Sequence, residues 1–175
     1  MNLKEHIRSI PDYPKKGILF RDITTLIKNE DAFIECINQI VERSKNFKFN
    51  KISAIESRGF IFASAVSYIL KKPFVLLRKK NKLPAETHSI DFALEYGTAT
   101  MEVHKDSIDK DDTVLIIDDL IATGGTAEAA ASLIEISKGK VAGFIFVINL
   151  YDLGGSNNLI KNKYKVENLI EFPGH

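Results

Sequence analysis

The chain has 175 residues, 45% hydrophobic and 27% charged, which is enough for one domain with a sizeable core. A net charge of +1 argues against nonspecific binding to nucleic acid or to a membrane surface. No apolar run approaches the roughly 20 residues of a membrane span, and the opening MNLKEHIRSI lacks the apolar segment of a secretory signal, so the expected compartment is the cytoplasm. The single cysteine, Cys36, excludes an intrachain disulfide, and the four histidines show no metal-ligand spacing with it or with one another.

Residues 1–28 are punctuated by Pro11, Pro14 and Gly17 and carry the short apolar run Ile18-Leu19-Phe20 ahead of Arg21-Asp22-Ile23. They read as an irregular arm with one short helix at its start. Asn29 caps a helix whose first turn holds Glu30 and Asp31, both favourable there. Phe33, Ile37, Ile40 and Val41 form its apolar face, Cys36 falls beside them, and the helix runs to about Ser44.

Ile52 to Ile55 reads as a short strand ending at Glu56-Ser57-Arg58-Gly59. Phe60 to Leu70 follows as a helix, apolar nearly all round and therefore expected to be deeply packed. Phe74 to Leu77 is the next buried strand. This βαβ unit puts residues 56–59 at the carboxyl end of a strand, where open α/β sheets bind ligands. Arg78-Lys79-Lys80-Asn81-Lys82 brings four cations to the same edge. Residues 79–95 carry no strong helical or strand pattern and read as a loop, either a solvated cationic loop or a lid. Thr98 to Val103 alternates as a strand should.

Val114 to Thr126, VLIIDDLIATGGT, organises the chain. Val114 to Ile117 is a doubly buried strand, and Asp118 and Asp119 end it. Ala122-Thr123-Gly124-Gly125-Thr126 turns into an Ala-rich helix from Gly125 to Lys138. Glycines let amides converge, and a helix N-terminus adds unpaired N–H groups, so the turn is a phosphate seat. Two carboxylates would repel a phosphate. They make sense facing hydroxyls or a metal on the same ligand, as in a sugar phosphate. Neither a Walker loop nor a dinucleotide fingerprint is present. Val141 to Leu150 is a long apolar strand, residues 154–158 a polar turn, and Tyr164 to Phe172 a candidate edge strand. Two βαβ units give an α/β fold: a central, mostly parallel twisted sheet with helices on both faces.

The stretch 114–126 resembles the phosphoribosyl-diphosphate (PRPP) motif of type I phosphoribosyltransferases. The form with Leu120-Ile121-Ala122-Thr123-Gly124-Gly125-Thr126 after the Asp pair is similar to that of the adenine-using members. Gly17 to Ile23, Glu56 to Phe60 and Leu94-Glu95-Tyr96-Gly97 resemble other segments of that family, and the likeness covers roughly residues 7–150. The resemblance implies a single domain over 1–175, with 1–28 as a hood over the base site and 79–97 as a flexible catalytic loop. It implies a purine salvage enzyme that converts adenine and PRPP to AMP and pyrophosphate. By resemblance Asp118 and Asp119 engage the ribose diol, and Ala122, Thr123, Gly124, Gly125 and Thr126 seat the 5′-phosphate. Ser57, Arg58 and Gly59, helped by Arg78, Lys79 and Lys82, hold pyrophosphate. Phe20 stacks on adenine while the backbone of Leu19 and Arg21 reads its edge. Glu95 is the acid/base candidate, and Arg58 shares the catalytic work by neutralising the leaving group. Mg²⁺ is the expected cofactor, held mainly by PRPP, pyrophosphate and water without a dedicated protein cage. A homodimer is implied. The alternatives are a phosphoribosyltransferase for xanthine, hypoxanthine or guanine, and a PRPP-sensing regulator of the same fold.

Overall fold

A computed structural model describes residues 1–94 and 96–175. After a 3₁₀ turn at Leu3–His6, strands β1 (Arg8–Pro11) and β2 (Leu19–Asp22) pair antiparallel as a separate two-stranded hairpin. Helices α1 (Thr24–Ile27) and α2 (Glu30–Ser44) follow, and the Asn29 side chain accepts the Ala32 N–H at the start of α2 as its sequence demands. Then come β3 (Lys51–Ile55), α3 (Arg58–Leu70), β4 (Phe74–Lys79), β5 (Thr87–Leu94), β6 (Gly97–His104), β7 (Thr113–Ile121), α4 (Gly125–Ile136) and β8 (Lys140–Leu150). Helix α5 (Gly155–Lys161) and strand β9 (Val166–Phe172) complete the chain.

Seven strands form one sheet in the order β5-β6-β4-β3-β7-β8-β9. The five from β4 to β9 are mutually parallel, and β6 and β5 add an antiparallel edge. One apolar cluster on the α2 and α3 side contains Leu26, Ile40, Phe62 and Val147. A second contains Leu77, Val103, Leu133 and Phe144 and packs against α4. A buried parallel core with helices on both faces is the arrangement expected of two βαβ units. It places the turns after β3, β4, β7 and β8 along one edge.

Three local expectations need correction. Strand β7 does not stop at the Asp pair but continues to Ile121, paired with β8 through Ile121 and Asn149. The eleven-residue β8 offers ladder partners past the carboxylates, and apolar Leu120 and Ile121 extend the strand. The stretch 79–95 is not all loop, since Thr87–Leu94 pairs with β6 over eight positions from Thr87–His104 to Leu94–Gly97. Its side chains are too polar to signal a strand, and the partner strand supplies the order. Helix α3 is not buried all round: Ile61, Tyr68 and Ile69 are 39%, 86% and 47% exposed.

Candidate active site

Two helix N-termini meet at the centre of the sheet edge. Helix α3 begins at Arg58 directly after β3, and α4 begins at Gly125 directly after β7. The first amides of each helix have no intrahelical acceptor, and neither helix has a side-chain cap. Both N-termini therefore present free donors and partial positive charge to the same cleft. That cleft, of about 270 Å³, is lined by Glu56, Ser57 and Arg58 on one side and by Asp118 through Thr126 on the other. Gly124 sits at φ +93°, a left-handed conformation that turns the chain from strand into helix.

Between the helix ends lies the acid pair. Asp118 Oδ1 accepts the backbone N–H of Asp119 at 2.9 Å. Gly59 makes room for this carboxylate, since a Cβ there would stand 2.6 Å from Asp118 Oδ1. Arg58 reaches over from the other loop, its Nε 2.7 Å from Asp119 Oδ2. Burial, and then the Asp119 charge beside it, push the Asp118 carboxyl well above the usual carboxylate range. Burial also raises Asp119, against the opposing pull of Arg58. Two desolvated acids served by one cation form a strong acceptor site for hydroxyl donors or a cation.

The N-terminal hairpin approaches the cleft at Arg58. Phe20 on β2 lies with its ring centroid 5.9 Å from the Arg58 guanidinium carbon and packs edge-on against Tyr13 at 5.1 Å. Leu19 beside it is half-buried. The Arg21 side chain is buried away from solvent, where it donates to Ser9 Oγ and to the Pro173 carbonyl and stacks over Phe172. That anchors the N-terminal hairpin to the C-terminal segment. Arg8 ties the hairpin together by donating to Asp22, which these bonds and those from Thr24 pull down to a pKa of about 2. At the other end, Lys15 Nζ lies 3.6 Å from the Tyr96 ring centroid and links hood to β5–β6 hairpin.

The structure brings together Ser57, Arg58, Gly59, Asp118, Asp119 and residues 122–126, with Phe20 beside them. Lys79 and Lys82 are exposed at the same edge. Arg78, like Arg58, is paired with a carboxylate. Its Nε and Nη2 donate to the two carboxylate oxygens of Glu56 at 3.3 and 3.1 Å, and Nη1 donates to the Lys82 carbonyl. Burial would raise Glu56, but the Arg78 fork and the Lys79 N–H outweigh it and hold the acid below its ordinary range. The guanidinium thus fixes the 79–82 turn to β3, and the sequence gives no warning because Glu56 sits in a loop otherwise suited to anions. Glu95 lies outside the described residues. The residues missed from sequence are Glu56, Lys15 and Gly155. Gly155 donates its N–H to the Ala122 carbonyl at 3.0 Å from a segment that reads only as a polar turn.

Comparison with known proteins agrees with this geometry. The profile of the phosphoribosyl transferase domain matches residues 22–173. The chain belongs to the phosphoribosyltransferase family. A curated adenine phosphoribosyltransferase of Pelagibacter ubique (strain HTCC1062) is 80% identical over 175 residues, covering all of both chains. A crystal structure of adenine phosphoribosyltransferase from Thermoanaerobacter pseudethanolicus superposes with a TM-score of 0.93 at 45% identity, covering 97% of this chain and 98% of the other. The Giardia lamblia enzyme, solved in complex with 9-deazaadenine, has a TM-score of 0.92 at 31% identity over 98% and 96% of the two chains.

Proposed function

We propose that this chain transfers the 5-phosphoribosyl group of PRPP to adenine, giving AMP and pyrophosphate in purine salvage. The observation that carries the reading is the cleft between the N-termini of α3 and α4, with the acid pair between them and the Phe20 ring 5.9 Å from the Arg58 guanidinium carbon. The names of the relatives support adenine as the base.

In the proposed reaction a ring nitrogen of adenine forms a bond to the anomeric carbon, and the bond from that carbon to the pyrophosphate oxygen breaks with its electron pair. Positive charge grows on the sugar and negative charge on the leaving group. The amides of Ser57, Arg58 and Gly59, with the Arg58 guanidinium and the exposed Lys79 and Lys82, receive the leaving charge. Arg58 must first exchange its Asp119 partner for pyrophosphate. Asp118 and Asp119 then accept hydrogen bonds from the ribose hydroxyls, and residues 122–126 hold the 5′-phosphate still. Phe20 gives the base a flat apolar wall, and the backbone near Leu19 and Arg21 its edge contacts. Glu95, next to Tyr96, takes the proton that the base must lose. Its role rests on the resemblance of Leu94 to Gly97.

Mg²⁺ fits this donor set as a substrate-borne ion. Among the described residues no three His, Cys, Asp or Glu side chains converge on a metal position, while Asp118 and Asp119 supply carboxylates beside the proposed diol. When bound with PRPP, the ion neutralises charge on the pyrophosphate. A homodimer is supported by exposed apolar side chains at one helix face, Ile61, Tyr68 and Ile69, with Leu76 on β4 also 38% exposed. The proposed working place is the cytoplasm; no helix among the described residues is long and apolar enough to cross a membrane.

The test is steady-state turnover with PRPP and Mg²⁺ against adenine, hypoxanthine, guanine and xanthine in parallel. Turnover with adenine at least 100-fold above the 6-oxopurines is expected. Equal or preferred use of a 6-oxopurine would overturn the base assignment, and no turnover with any base would overturn the enzyme reading.

A further inference from the structure

The phosphate turn is held from behind by a part of the chain that none of the motifs includes. Gly154, at φ +79°, bends the chain after β8 so that α5 starts against residues 122–124. Gly155 donates its N–H to the Ala122 carbonyl at 3.0 Å. A Cβ on Gly155 would press on that carbonyl oxygen and stand 2.7 Å from the Gly124 nitrogen and 2.8 Å from the Thr123 carbonyl carbon. The approach is reciprocal, since a Cβ on Gly124 would meet the Gly155 Cα at 3.0 Å. Backbone lies on backbone, with no flexible side chain to give way. Gly155 is the first residue of α5 and is not among the glycines with positive φ, so the close approach is what requires glycine there. The support is anchored in turn. Ser156 is buried and its Oγ accepts from Asn168 Nδ2 on β9 at 3.0 Å, while Leu159 of α5 is fully buried in the core on the α4 side.

We infer that Gly155 is a positioning residue, bracing the phosphate turn from the C-terminal segment and setting where the seat stands relative to the Asp pair. The inference rests on the proposed reading that residues 122–126 hold the 5′-phosphate. An alanine methyl at 155 must separate from the Gly124 nitrogen until the gap reaches an ordinary contact of about 3.5 Å. The turn or α5 therefore shifts by close to 1 Å. A displacement of that size at a positioning group costs about 10²-fold.

The experiment is calorimetric titration of Gly155→Ala with ribose 5-phosphate and, separately, with inorganic pyrophosphate. The expected result is about 100-fold weaker binding of ribose 5-phosphate with pyrophosphate affinity held within about twofold, and a matching rise in KM for PRPP with KM for adenine unchanged. Unaltered affinity for ribose 5-phosphate, or equal weakening of both ligands, would overturn the brace. Ser156→Ala, which cuts only the tie to β9, decides the matter if the glycine variant does not fold. A several-fold loss confined to ribose 5-phosphate supports the inference and no change refutes it. Thr126→Ala, on the seat itself, separates the two levels. If it weakens ribose 5-phosphate while Gly155→Ala does not, the brace alone fails. If it leaves that affinity intact, the seat reading fails and the brace with it.

Discussion

Replacing Arg58 by alanine removes the only cation paired with the buried Asp119 among the described residues. Breaking a fully buried ion pair from one side costs about 3–5 kcal/mol, because the remaining charge is stranded. Here the Asp119 side chain is 7% exposed and that of Arg58 48%, so water screens the pair on its arginine side and the expected loss falls to about 1–2 kcal/mol. For a chain of this size that is a drop in Tm of about 2–8 °C. The loss depends on pH in a defined direction. With Arg58 gone, burial, the largest influence on Asp119, still raises its pKa, and the strongest of the influences that lower it is lost, leaving the hydrogen bonds with Asp118 and the backbone. The folded state then binds a proton more tightly than the unfolded state, so the variant's stability falls as pH rises above the unfolded carboxylate value of about 3.9 and levels off above the folded value. Thermal melts of both proteins from pH 4 to 8, in buffer free of phosphate, should show a deficit that is largest at neutral pH and shrinks toward pH 4. A deficit that is constant across the range, or none, would refute the electrostatic account of the pair. Turnover of the same variant should fall by about 10²–10³ if Arg58 also stabilises the leaving group.

Asp118→Asn should raise the Tm of the ligand-free protein at neutral pH, because the native carboxylate is held above its unfolded pKa and its charge is a penalty there; the gain should vanish near pH 4. The same substitution should weaken PRPP about 10- to 100-fold, the worth of a charged hydrogen bond, as read by titration. Phe20→Ala should raise KM for adenine about 2- to 10-fold, the size of a stacking contribution, with KM for PRPP unmoved; an effect on both would make Phe20 a structural residue. Tyr68→Glu should convert a dimer to monomers in sedimentation velocity, and an unchanged sedimentation coefficient would remove the α3 face from the interface.

The sheet was legible because its strands are buried on both faces and announce themselves as apolar runs, as Val114 to Ile117 and Val141 to Leu150 do. The turn between β7 and α4 was legible for the opposite reason: Gly124, Gly125 and the preceding acids break the apolar pattern at the end of a strand. Strand β5 was not, because an edge strand with polar side chains takes its order from β6 rather than from its own composition. The partner of Arg78 was not legible, because a cation at the ligand edge reads the same whether or not Glu56 stands across the sheet from it. The brace at Gly155 was invisible since a backbone-to-backbone contact 31 residues away from Gly124 leaves only one more Gly-Gly in a polar stretch.

The burial of Cys36 has a practical side. The thiol is fully enclosed in α2, and desolvation pushes its pKa up to about 12, so it contributes almost no thiolate at neutral pH. A cysteine introduced on the surface would thus be the one sulfhydryl able to react with a maleimide. Placed at Lys16 on the hood or at Asp91 on β5, both exposed, one label at a time would carry a fluorophore or spin probe without background from the native sulfur. Hood and hairpin could then be watched separately as substrate enters.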